Sequence, residues 1–103
     1  MVVLNFPFFN LRQAKRRPAL VLAPVKGDDV ILCQITSQSK FDAYSVPLES
    51  TDFTLGGLNQ SSRIRPNRLF TADEGIIGYR AGHVSDATLN GVVDRLIGIL
   101  KRL

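Results

Sequence analysis

Only one stretch of this chain carries helical spacing, and it lies at the C-terminal end. Leu89, Val92, Val93, Leu96, Ile97 and Leu100 recur at the three-to-four-residue interval that puts apolar side chains on one helix face. Ser85 is a good N-cap, Asp86 suits the positive end of the helix dipole, and Lys101 and Arg102 suit its negative end. Everything upstream is broken into short runs, so the chain reads as several strands followed by one amphipathic helix. With 103 residues it is long enough for one modest core, and we read residues 1–103 as a single domain.

The runs before the helix are β-rich and bounded by turn formers. Residues 2–6 read as a first strand ended by Pro7, and residues 7–17 as a polar, basic loop. Ala19-Leu20-Val21-Leu22-Ala23 and residues 30–36 flank the turn signal Gly27-Asp28-Asp29 and predict a hairpin with largely buried strands. Residues 37–43 are a polar loop, Tyr44 to Leu48 alternates as a fourth strand, and Gly56-Gly57 breaks the chain again. Ser62 to Phe70 is extended, with Pro66 marking an edge or a bend, and Ile76 to Tyr79 adds a last short strand. The expected fold class is mostly β (α+β), a small barrel of short antiparallel strands with a C-terminal α-helix packed on it.

Composition narrows the function classes. Hydrophobic residues make up 45% and charged residues 21%, which is ordinary for a folded globular chain. No apolar run approaches the roughly 20 residues of a membrane span, and the opening Met1-Val2-Val3-Leu4 lacks the pattern of a signal peptide, so a cytoplasmic protein is expected. Cys33 and His83 are each the only residue of their type, which argues against a cysteine-built or zinc site. No metal and no cofactor is expected. Cys33 lies in the run Val30-Ile31-Leu32-Cys33-Gln34-Ile35 and reads as a buried thiol, and His83 as a structural junction before the helix.

A net charge of +4 suits an anionic partner. The distribution is sharper than the total: Arg12, Lys15, Arg16 and Arg17 place four cations within six residues, with no acid before Asp28. Read alone, such a run is a solvated face more often than a binding surface.

Three segments, in order, carry a family likeness. Lys15-Arg16-Arg17-Pro18-Ala19-Leu20-Val21-Leu22 contains an Arg-Pro-x-x-Val signature after the first loop. Ile35-Thr36-Ser37-Gln38-Ser39-Lys40 places a Thr-Ser-Gln segment at the end of the central strand. Gly57-Leu58 and then Ser62-Arg63-Ile64-Arg65-Pro66-Asn67-Arg68-Leu69-Phe70-Thr71-Ala72-Asp73 end in Thr-x-Asp. Together with Phe6-Pro7-Phe8 and the terminal helix, the sequence resembles the MazF/PemK family of type II toxin–antitoxin toxins over residues 2–102.

The resemblance implies an SH3-like barrel, a homodimer, and metal-independent, sequence-selective cleavage of single-stranded RNA that stops translation and growth. It implies a cognate antitoxin whose acidic, disordered tail covers the RNA groove. By position, Arg17 matches the family's catalytic arginine and Thr36 its catalytic threonine. The chemistry suits them: an always-charged guanidinium grips two phosphate oxygens, and a threonine hydroxyl donates one more hydrogen bond to developing negative charge. Arg12, Lys15, Arg16, Ser37, Gln38, Lys40 and Arg65 are the expected substrate-binding residues.

The sequence also departs from the family. Asn67 stands where an acid follows the arginine at position 65 in the PemK branch, and Arg12 falls where some relatives carry a loop glutamate. Two candidate acid–base carboxylates are therefore missing, which opens the identity of the general base. Relatives begin with a Gly-Asp pair before the first strand, implying here a trimmed start or a short first strand. Two alternatives stay open: a protein-targeting toxin on the same barrel, like CcdB, and an RNA-binding or regulatory barrel with weakened catalysis. Asp73 is expected to be structural.

Overall fold

The computed structural model describes residues 2–6, 15–25, 27–37, 43–58 and 60–102; the side chains of residues 2–6, 15, 16 and 76 are not among those described. The strands are β1 (Val2–Phe6), β2 (Lys15–Pro24), β3 (Asp29–Thr36), β4 (Val46–Leu48), β5 (Phe53–Gly56), β6 (Ser62–Asp73), β7 (Ile77–Arg80) and β8 (Gly82–Val84), followed by helix α1 (Asp86–Leu100). Six of them form an antiparallel sheet in the order β4-β6-β3-β2-β1-β7, and β5 pairs with β8 in a separate ribbon. The sheet curls into a half-barrel with α1 against β6.

The curl rests on a two-faced sheet. Leu20, Cys33, Ile35, Leu48 and Ile64 point to one face and bury against Val84 of β8 and Val92 of α1. Burying each such aliphatic side chain contributes about 1.5–3 kcal/mol. The opposite face carries a smaller cluster of Ala19, Leu32 and Ala72, flanked by Val21, Val30, Phe70 and Ile77. Toward the ends where β2 begins and β3 finishes, that second face changes from apolar to polar.

Most expected elements are present, with five corrections. The basic segment is strand rather than loop from Lys15 onward: Lys15, Arg16 and Arg17 pair with Phe6, Asn5 and Leu4 of β1. Its cations suit an extended backbone because their side chains need no burial. The fourth strand starts at Val46, and residues 43–44 form a turn. Ribbon strands β5 and β8 were not expected; at four and three residues they are too short to show alternation.

The last two corrections concern β6 and β7. β6 runs on to Asp73, and β7 is shifted one residue to Ile77–Arg80. Pro66 lies in β6 just past the stretch that pairs with β4 (Ser62 to Ile64), where an edge or a bend was expected. There the register with β3 jumps from Cys33 opposite Leu69 to Gln34 opposite Arg65. A bulge leaves the missing proline N–H without a ladder partner to satisfy, and Pro66 itself is fully buried.

The helix begins as its sequence predicts. The Ser85 side chain accepts from the Thr88 N–H at 3.2 Å. A second tie comes from Asp52, whose carboxylate accepts from the Thr88 hydroxyl at 3.0 Å and from the Glu49 N–H at 2.7 Å. The Ser85 N–H also donates to the Asp52 carbonyl at 2.8 Å. These bonds anchor the start of α1 to the turn between β4 and β5. His83 is exposed opposite Leu55 on β8, and its carbonyl accepts from the Thr54 hydroxyl at 3.2 Å, as a structural junction would. Asp73 is likewise local, accepting from the Gly75 N–H at 2.7 Å in a tight turn.

Candidate active site

β2 and β3 are adjacent and antiparallel, with Ala19 opposite Gln34. Continued to the strand ends, that register brings Arg17 alongside Thr36. Both line one cavity of about 310 Å³, together with Pro18, Ile35, Ser37, Leu58, Gln60 and Ser62. Its described lining combines apolar Pro18, Ile35 and Leu58 with the Arg17 guanidinium, three hydroxyls and the Gln60 carboxamide. Arg17 and Ser37 are exposed, and Thr36 is half-buried. Among the described lining residues there is one charged donor with several neutral ones, and none of these is a carboxylate or an imidazole.

The remaining sequence candidates divide. Arg65 is half-buried on β6, opposite Gln34, one ladder step from Thr36 opposite Arg63. It therefore shares the sheet face of Gln34 and Thr36 but does not line the cavity. Lys15 and Arg16 are placed by backbone next to Arg17, while their side chains lie outside the described residues. Arg12, Gln38 and Lys40 also lie outside the described residues. Asn67 is exposed in the β6 bulge and lines no part of the cavity.

Leu58, Gln60 and Ser62 were not anticipated at the site. They reach it because the chain enters β6 beside the end of β3, one strand over from Arg17, a tertiary event with no local signal. The Ser62 hydroxyl donates to the Gln60 carbonyl at 3.1 Å, and the Ser61 hydroxyl donates to Glu49 at 2.6 Å, which holds this wall in place. Arg63 was also missed as a separate feature, although its alternation with Arg65 along an apolar strand was a readable sign. Its Nε donates at 2.6 Å to the hydroxyl of Ser45, which is buried.

Two other features lie away from this chemistry. A hollow of about 500 Å³ runs along α1 past Gly91, Asp94, Arg95 and Gly98 to Tyr44, and none of the described candidate residues lines it. Cys33 is fully buried, and burial pushes its thiol up to about 12, so it is no nucleophile. Among the described residues no group of three or more His, Cys, Asp or Glu side chains is arranged to hold a metal ion. No described helix is long and apolar enough to cross a membrane.

The family model of PemK-like, MazF-like toxins of type II toxin–antitoxin systems matches residues 1–100. The chain belongs to the PemK/MazF toxin family. Among solved structures, MazF from Deinococcus radiodurans is 25% identical, with 97% of this chain and 91% of that one covered and a TM-score of 0.74. The Mycobacterium tuberculosis toxin MazF-mt6 shares the fold at 18% identity, with coverages of 97% and 94% and a TM-score of 0.75. A mycobacterial endoribonuclease solved with its cognate antitoxin matches at 15% identity, coverages of 99% and 91%, and a TM-score of 0.75. No curated protein sequence gives a significant match. In this PemK/MazF chain the signature arginine and threonine are thus neighbours on one cavity wall.

Proposed function

We propose that this PemK/MazF toxin is a metal-independent endoribonuclease that cuts single-stranded RNA. The observation carrying the reading is the shared cavity of Arg17 and Thr36. In the proposed reaction the ribose 2′-oxygen bonds to phosphorus as the bond from phosphorus to the 5′-oxygen breaks. The products are a 2′,3′-cyclic phosphate and a 5′-hydroxyl end. Arg17 holds the phosphate oxygens through a two-pronged contact, and the Thr36 hydroxyl donates to the charge that builds up in between. No described lining residue is a carboxylate or an imidazole, so in this reading water takes the 2′-hydroxyl proton and another water protonates the 5′-oxygen. Slow turnover follows from that arrangement.

The partner in this reading is an antitoxin with an acidic, disordered tail that occupies the RNA site. A MazE–MazF structure from Deinococcus radiodurans, 25% identical on the toxin side, supports an antitoxin partner. The toxin acts as a homodimer, so its mass in solution should be near twice 11.4 kDa. The deciding experiment incubates the purified chain with single-stranded RNA in EDTA and identifies the ends. Cleavage to cyclic-phosphate and 5′-hydroxyl ends is expected. Strict dependence on magnesium would sink the mechanism, and binding without cleavage would favour a regulatory RNA-binding role.

A further inference from the structure

Arg63 faces Thr36 directly across the β3–β6 ladder and pairs on its other side with Pro47 of β4. Paired residues of antiparallel strands project to the same face. Arg17, Thr36 and Arg63 therefore form a row across three neighbouring strands, with Gln34 and Arg65 in the next row. Strand spacing sets Arg17 and Arg63 roughly 10 Å apart along that row. Two arginine side chains can converge from there onto neighbouring phosphates of one extended strand.

The bracing of Arg63 is informative. It is half-buried, yet no carboxylate pairs with it among the described residues. Its side chain is tied by the 2.6 Å donation from Nε to Ser45, which leaves the terminal amino groups of the fork to meet an anion. Ser45 is buried, so the guanidinium is held from below and loses little freedom when a ligand arrives. A residue serving only to tie β6 to the 43–45 turn would not need a permanent charge, since a neutral donor could reach the same hydroxyl.

We propose that Arg63, braced by Ser45, forms a second phosphate-binding subsite for single-stranded RNA, adjoining the one at Arg17 and Thr36. The subsite rests on the ribonuclease reading above and adds where the next phosphate sits. Arg63 holds the strand in register, while Arg17 and Thr36 act on the scissile phosphate.

The test uses the full chain and a short RNA blocked by a 2′-O-methyl group at the cleavage position. Arg63→Gln keeps a donor for Ser45 and removes the charge. It should weaken binding roughly tenfold, as expected for a lost charge-assisted hydrogen bond. The slope of log affinity against log salt should become shallower by about 0.7, the value for one single-strand phosphate contact. On cleavable RNA, KM should rise with kcat nearly unchanged. Ser45→Ala should weaken binding several-fold and leave the salt slope intact, since the charge stays. If Arg63→Gln binds RNA with wild-type affinity and slope, whatever its thermal stability, the subsite is overturned while the ribonuclease reading stands. Weakened binding of an acidic peptide with unchanged RNA binding would overturn it equally. A wild-type chain that neither binds nor cuts RNA would remove both.

Discussion

Arg17 near the start of β2 and Thr36 at the end of β3 line the same cavity, side by side across one strand pairing. The pairing converts two weak sequence signals into one arrangement of donors. A guanidinium with a fixed fork and a hydroxyl on a rigid sheet need little reorganisation as charge develops on a phosphate.

Arg17 is exposed, so its removal should spare the fold. Arg17→Ala should lower the cleavage rate roughly 10²–10³-fold, the usual loss for one preorganised donor. Arg17→Lys should recover little of it, because a point charge cannot make the two-pronged contact. Single-turnover cleavage beside a circular dichroism spectrum checks both, and wild-type cleavage by Arg17→Ala would refute the assignment.

RNA and an acidic antitoxin tail should compete for the basic end of the sheet. Lys15→Glu or Arg16→Glu should weaken both ligands together, since each reverses a charge in the basic run that ends at Arg17. Thr36→Ala should slow cleavage and leave tail binding largely intact, because a hydroxyl adds little to a charge-driven contact. Both ligands should also lose affinity steeply as salt rises. Titrating blocked, labelled RNA against the tail gives the answer, and simultaneous binding at full affinity would show the basic run to be a solvated face.

Two glycines should respond oppositely to alanine. Gly56 sits at φ +67°, opposite Gly82 where β5 meets β8, and a methyl group there would run into the Ala81 carbonyl oxygen. Gly56→Ala should cost about 1–3 kcal/mol through strain alone. Gly91 lies within α1, where an added methyl group would meet no described atom within 4 Å, so Gly91→Ala should stabilise by about 0.5–1 kcal/mol. Urea unfolding midpoints measure both, and equal shifts of one sign would contradict the packing described.

Cys33 makes the fold sensitive to alkali. Burial raises its thiol from 9.0 to about 12, so the folded chain keeps a proton that the unfolded chain releases. The stability this group contributes is fully present below pH 9 and is lost as pH rises from 9.0 toward 12. Thermal midpoints should fall more steeply in that window for the wild type than for Cys33→Ala, whose midpoint starts lower from lost packing. Parallel curves would show that the thiol is not held protonated. The same burial should keep Cys33 unreactive toward iodoacetamide until the chain unfolds.

The helix, the β2–β3 hairpin and the apolar runs were legible in the sequence because their causes are local. Ser85 caps α1 by reaching Thr88 three residues on, and Gly27 takes φ +89° at the hairpin turn where Gly27-Asp28-Asp29 signals it. The likeness to the toxin family likewise lay in Arg17-Pro18 and Thr36-Ser37, read in order along the chain. Which residues meet was decided elsewhere. The bulge at Pro66 sets Arg65 opposite Gln34 and Arg63 opposite Thr36, and a register one residue away would turn both arginines into the core. The ribbon of β5 and β8 brings two distant backbones together at Gly56 and Gly82, where a side chain would clash, a closeness that no short window of sequence signals. Local propensity acts over a few residues, whereas register and close approach are settled by burying Ile35, Ile64, Val84 and Val92 together. That long-range packing, absent from any short window of sequence, brings Arg17, Thr36 and Arg63 into one row.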